Sequence, residues 1–191
     1  MRPYSLKKPF YNFLFQLILT CHILTSSGAI AFIGGDINEF KDYFHKSFTY
    51  NKSSKNKDFT HCYFFLNSEI KNNPQVDGFN AAMTISLKLN KIIGESLVID
   101  LGKNKDTGLV IATSLLMDLI LEARQTKTPS KSTLDTQFIL FKQAITDALT
   151  DNPQTLNYNH ENIVIRIEQI DFHKILITIT KPILENSPPL N

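Results

Sequence analysis

The stretch FNAAMTISLKLN, Phe79 to Asn90, decides how this chain folds. Phe79, Ala81, Met83, Ile85, Leu87 and Leu89 alternate with Asn80, Ala82, Thr84, Ser86, Lys88 and Asn90. A period of two held this long demands a strand with one face in the core and one toward water, the pattern of an antiparallel sheet. Ser96 to Leu101 reads as the next strand, ending at Gly102 and a polar loop.

Upstream, Lys71 to Asp77 contains Asn73-Pro74 and reads as a turn. Before it, Phe59 to Leu66 carries aromatic residues on both alternating sets, so a strand with neither face fully wet is expected there. Asn51 to Asp58 is polar and reads as a loop. Asp36 to Tyr50 reads as a short amphipathic helix: Asp36 and Glu39 resemble a capping box, and Ile37, Phe40, Phe44 and Phe48 follow at helical spacing.

Downstream, Thr107 to Arg124 is apolar on nearly every side apart from Ser114, Asp118 and Glu122, which predicts a largely buried helix with one narrow wet stripe. Gln125 to Ser132 links it to a second helix over about Thr133 to Thr150. Leu134, Phe138, Phe141, Ile145 and Ala148 form its apolar seam, and Pro153 stops it. Asn162 to Ile170 and Lys174 to Lys181 alternate isoleucine with more polar positions and are close enough for a hairpin across Asp171-Phe172-His173. The expected fold is therefore α+β in two layers. A mostly antiparallel sheet of about five strands carries the pair of long helices on one face, and the early helix packs at an edge or on the other face.

The beginning of the chain has a different character. Arg2, Lys7 and Lys8 precede a stretch, Pro9 to Gly35, with no formally charged side chain. Its most apolar part, Phe10 to Leu24, is broken by Asn12, Gln16 and His22 and is followed by Ala29-Ile30-Ala31. That profile is an export signal, a signal helix preceding the fold, with cleavage before Phe32. An uncleaved membrane anchor over 9–35 is the alternative. A lipoprotein at Cys21 fits poorly, since Ile18-Leu19-Thr20 precedes it. The expected organisation is a signal peptide (or uncleaved anchor) at 1–31, a short amphipathic helix and polar loop at 32–58, a single α+β domain at 59–182 and a tail at 183–191. Localisation follows as periplasmic or secreted.

Removing the leader leaves 160 residues with 17 basic and 18 acidic side chains, a net charge of −1. The excess of basic residues in the whole chain thus belongs to the leader and argues for no nucleic-acid partner. Lys52, Lys55 and Lys57, set among Asn51, Ser53, Ser54 and Asn56, read as a solvated loop. Only Cys62 remains of the two cysteines, which excludes an intramolecular disulfide and a cysteine-based zinc cluster in the mature domain. Asn51-Lys52-Ser53 is a glycosylation sequon, a pattern short enough to recur by chance.

The constellations that carry chemistry fail on context. Asp106-Thr107-Gly108 is the aspartic-protease triplet, which works as a pair of carboxylates sharing a proton at the end of an apolar strand. Here Lys103-Asn104-Lys105 precedes it and a helix follows, so Asp106 reads as an N-cap. Gly34-Gly35-Asp36 with Glu39 and Phe40 imitates a cyclase signature but is split by two residues, and Gly102 to Gly108 lacks the ending of a phosphate loop. Asp171 and His173 share a face and Asp118 and Glu122 share another, but neither pair has a further ligand in sequence. No serine sits in a nucleophile elbow, Gly94-Glu95-Ser96 included. No catalytic, cofactor-binding or metal residue is therefore assigned.

The remaining signal is compositional: nine of the twenty aromatic residues lie between Phe40 and Phe65. That segment, 40–65, either docks the early helix on the sheet or exposes an apolar surface to a protein partner or apolar ligand. The leading expectation is an exported, non-enzymatic domain that binds another envelope or secreted component. Alternatives are an apolar-ligand or lipid-binding protein, with a pocket between the aromatic segment and the helix pair, and a hydrolase with a dispersed site. Membrane contact is expected only through the N-terminal segment if it stays uncleaved.

Overall fold

The computed structural model describes residues 33–72, 74–123, 131–150, 152–158 and 163–180. The leader at 1–31, the alternative anchor over 9–35 (apart from 33–35) and the tail at 183–191 lie outside the described residues. Among the described residues no helix is long and apolar enough to cross a membrane.

The chain runs α1 (Ile37–Phe44), β1 (Phe48–Asn56), β2 (Phe59–Leu66), a short helix α2 (Ser68–Lys71), a 3-10 turn (Pro74–Val76), β3 (Asn80–Lys88) and β4 (Lys91–Asp100). Then follow α3 (Lys105–Ala123), α4 (Lys131–Ala148), β5 (Gln154–Tyr158), β6 (Ile163–Asp171) and β7 (Lys174–Thr180). The strands form one antiparallel sheet in the order β1-β2-β3-β4-β7-β6-β5. The fold is α+β as expected, but the sheet has seven strands, not about five.

The two additional strands are the two edges. The polar stretch 51–58, expected as a loop, supplies most of β1, whose residues after Phe48 are all exposed. An edge strand that is wet on both sides has no periodicity to read; main-chain pairing with β2 holds it, and Lys52 and Lys55 place charge along that edge, a composition that disfavours edge-to-edge pairing. At the other edge β5 offers only QTLNY, too short for an alternation to stand out.

Register explains where the core lies. Phe64, Met83, Leu97, Ile177 and Ile167 are successive partners across β2, β3, β4, β7 and β6, so they point to one face, and all are buried. Phe40 of α1 meets Phe64 edge-on, with ring centroids 5.4 Å apart. The early helix therefore lies over the edge strand β1 and its neighbour β2, as one expectation had it, on the same face as the long helices and not on the opposite face. Its entry is fixed by Gly34 N–H donating to Ile92 O (2.6 Å) and by Asp36 Oδ1 accepting from Asn38 N (2.7 Å), so Asp36 is its N-cap. Phe40, Phe44, Phe48 and Phe64 interlock and carry the core out to β2.

α3 starts close to the end of β4. A Cβ built on Gly108 would sit 2.1 Å from Leu101 O, so only glycine admits this approach. Ile111, Ala112, Leu115, Leu116, Leu119 and Ile120 bury the inner side of α3, while Phe141, Ala144, Ile145 and Ala148 do so for α4, which lies over β5 and β6. Ser114, expected on a wet stripe, is buried, with its hydroxyl donating to Val110 O (2.9 Å).

Two turns show how the strands reverse. Leu89 and Asn90 both have positive φ (51° and 62°), the pair of left-handed residues that a type I′ hairpin turn uses. Phe172 and His173 close β6 to β7 without a left-handed residue, and the register shift between Gln169 and Asp171 absorbs the twist.

Candidate functional site

The face of the sheet opposite the helices is open among the described residues. With β-strands about 4.8 Å apart, seven strands make it roughly 29 Å wide. Three cross-strand rows make up its centre, beyond which Asn80, Asp100 and Lys174 form a polar row. The upper row runs Thr49, Phe65, Ala82, Val98, Leu176, Glu168, and the middle row Lys52, Tyr63, Thr84, Ser96, Thr178, Arg166, Thr155. The lower row runs Ser54, His61, Ser86, Gly94, Thr180, Val164, Asn157.

These rows differ in chemistry. In the upper one, Phe65, Ala82, Val98 and Leu176 form an unbroken apolar stripe over β2, β3, β4 and β7, with Phe65 48% and Val98 36% exposed. Single exposed apolar residues are ordinary, whereas a contiguous stripe is the surface that partners cover. The middle row is a line of hydroxyls with a cation and an aromatic ring at one end and Arg166 next to last at the other. Lys52 Nζ lies over the Tyr63 ring (5.9 Å), and Arg166 pairs with Glu168 (3.3 Å). In the lower row His61 Nδ1 is 3.1 Å from Ser86 Oγ, and Ser54 Oγ is 3.1 Å from the Tyr63 hydroxyl.

A serine bound to a histidine is the beginning of a nucleophile–base pair. Its strand neighbours supply no carboxylate to orient the ring: the residues beside His61 are Ser54 and Ser86. A flat ladder also aims its main-chain N–H groups along the sheet, not at a common point above it. The pair is a polar contact on this face.

The residues singled out from sequence are dispersed. Asp106 lies in the first turn of α3, and the cap is Asn104, whose Oδ1 accepts from Thr107 N (3.2 Å). Asp171 accepts from Phe172 N (2.8 Å) and pairs with Lys174 (3.3 Å); these two partners, the backbone amide first, hold its carboxyl below the usual range. His173 packs its ring on Phe172. Asp118 is half-buried on α3, and the side chain of Glu122 lies outside the described residues. A shallow groove beside the start of α3, lined by Pro74, Asp77, Lys103, Asn104, Lys105 and Asp106, is bridged by the Lys103–Asp77 ion pair (3.0 Å). Among the described residues no group of three or more His, Cys, Asp or Glu is placed to hold a metal ion.

The aromatic segment 40–65 splits in two. Phe40, Phe44, Phe48 and Phe64 fill the space between α1 and the sheet, whereas Phe65 and Tyr63 belong to the open face. Cys62 is buried among the core residues, and burial raises its thiol pKa against a smaller opposite effect from Lys41.

Among the described residues Glu95 is the buried acid, and no motif in the sequence marks it. It is 2% exposed between Ile85 and Ile179, and neither carboxylate oxygen has a hydrogen-bond partner. Burial alone pushes its pKa up to about 8. Its inward direction depends on the register shift that pairs Ser86 with Gly94 but Leu87 with Ile92, which leaves Ile93 as an extra residue and resets the alternation of β4.

These features define, among the described residues, an α+β domain with one helix-covered and one open sheet face. No protein-family model, curated protein or solved structure matches the chain.

Proposed function

We propose that this is an exported, non-enzymatic domain that binds another envelope or secreted component, and that the open face of the sheet is the surface it offers. The export half of this reading rests on the basic start and uncharged apolar stretch of the leader. The binding half rests on one observation: the apolar stripe Phe65, Ala82, Val98, Leu176, flanked by Tyr63 and Arg166, crosses four neighbouring strands on the face that carries no helix among the described residues. An apolar centre with an aromatic and an arginine at its margin is the composition of a protein–protein contact.

The test is crosslinking of the tagged full chain in its native host, comparing wild type with Val98→Lys. A lysine there adds a charge at the centre of the stripe while its stem lies along the sheet, so the melting temperature stays within a few degrees of wild type. Loss of a specific crosslinked component with the melt preserved is the expected result. A crosslinking pattern identical in the two proteins, or no specific component with wild type, would count against this surface.

A further inference from the structure

The face covered by the helices holds a second feature that binding does not explain. Glu95 sits at the middle of the sheet, in a row that reads Cys62, Ile85, Glu95, Ile179, Ile165 across β2, β3, β4, β7 and β6. All five are buried, and Glu95 is the only carboxyl among them. β4 is an interior strand and Glu95 is 2% exposed, so the side chain has no open route to water.

The groups that could offset a charge on it are few. On its strand neighbours β3 and β7, the flanking core positions are Met83, Leu87 and Ile177. Cys62 on β2 is two strands away, and Lys41 of α1 acts on that thiol. On α3 the buried polar groups are Thr113 and Ser114, each already donating to a main-chain carbonyl in its own helix, and the described acids there are Asp106, exposed in the first turn, and the half-buried Asp118. On α4 the titratable groups are Asp135, Lys142 and Asp147, while the buried side is Phe141, Ala144, Ile145 and Ala148. None of these bonds to Glu95.

We propose that Glu95 is a pH-responsive element of the fold: the closed domain keeps it protonated, and losing that proton drives the β4–β7 region and its helix cover open to admit water. The physical reason is that an ionised carboxylate in apolar surroundings with no partner costs several kcal/mol, whereas the neutral acid costs far less. Opening is therefore coupled to proton release. The inference is independent of the binding role proposed above, because it concerns the opposite face of the sheet.

The sign follows from proton linkage. The folded chain holds the Glu95 proton up to about pH 8, whereas the unfolded chain releases it near 4.5. Between those values the folded state binds more protons, so stability falls as pH rises, by about tenfold in the folding equilibrium constant per pH unit. Stabilisation is complete below pH 4.5 and gone above about pH 8.

The experiment is urea unfolding of the purified full chain at a series of pH values from 5 to 8, for wild type and Glu95→Gln. Wild type should lose about tenfold in its folding constant per unit, and Glu95→Gln, which keeps the shape but cannot ionise, should lose that dependence. A wild-type chain whose stability is flat across this range overturns the proposal, as does a Glu95→Gln variant with the same slope as wild type. Should Glu95→Gln not fold, carbon NMR of the Glu95 carboxyl in the folded wild type decides: titration above pH 7 supports the proposal, and titration near pH 4 to 5 overturns it.

Discussion

Replacing Gly108 with alanine sets two ordinary rules in opposition. Gly108 lies in the first turn of a 19-residue helix, and by helix propensity alone alanine there should stabilise by about 1 kcal/mol. Geometry argues the other way. The new Cβ would stand 2.1 Å from Leu101 O, 2.8 Å from Leu101 C and 2.9 Å from Leu101 Cα, all of them main-chain atoms that cannot rotate away. Moving that contact out to 3.0 Å lifts the first turn of α3 by about 0.9 Å and thins the packing beneath Ile111 and Ala112. Overpacking of this kind costs about 1–3 kcal/mol, and with rigid backbone on both sides the upper end applies. After the propensity gain, a net loss of about 2 kcal/mol remains, or a fall of roughly 4–8 °C in melting temperature for a domain of this size. Urea unfolding followed by circular dichroism measures it. Gly94→Ala is the control, because the Cβ there meets only Ile179 O and Thr180 Cγ2 at 3.7 Å and should be tolerated. A Gly108→Ala protein as stable as wild type or more so would refute the close approach of α3 to the end of β4.

Phe40→Ala removes a fully buried ring that ties α1 to Phe44 and Phe64, so a loss of about 3–5 kcal/mol is expected in the same urea assay; under 1 kcal/mol would mean that α1 is not part of the core. Cys62 is buried with a raised thiol pKa, so an aromatic disulfide reagent at pH 8 should label it slowly in native protein and at once in urea; equal rates would place the thiol at the surface.

Those elements whose two faces differ were legible in the sequence. β3 has a buried and a partly wet set of side chains, and its alternation gave the strand within a residue or two of its observed ends. α4 was legible for the same reason at helical spacing, and α3 by the length of its apolar run, too long for a strand. β1 was not, because both of its faces are wet, so its composition is that of a loop. The position of α1 was also hidden: its amphipathic face shows in the sequence, but the partner Phe64 is set by strand register. The open stripe was the least accessible. Phe65, Ala82, Val98 and Leu176 are scattered along the chain, and only the ladders from β2 to β7 line them up. Glu95 escaped because the expected strand began at Ser96 whereas β4 starts at Lys91, and the irregularity opposite Leu87 breaks the alternation over that first half.

The single ladder between β4 and β7 has a consequence for how the chain acquires its shape. Every other pairing in the sheet joins strands that follow one another in sequence, β1 through β4 on one side and β5 through β7 on the other. Joining Asp100 to Lys174 instead closes a loop of about 74 residues, an entropic cost that no local turn offsets in advance. The two halves should gain their hairpins first, and their union should limit the rate of folding. Until then each half displays an unpaired inner strand, one reading KIIGESLVID and the other KILITIT. Either edge fits the complementary half of another molecule as well as its own, so crowding during synthesis or export favours an exchange of halves between two chains.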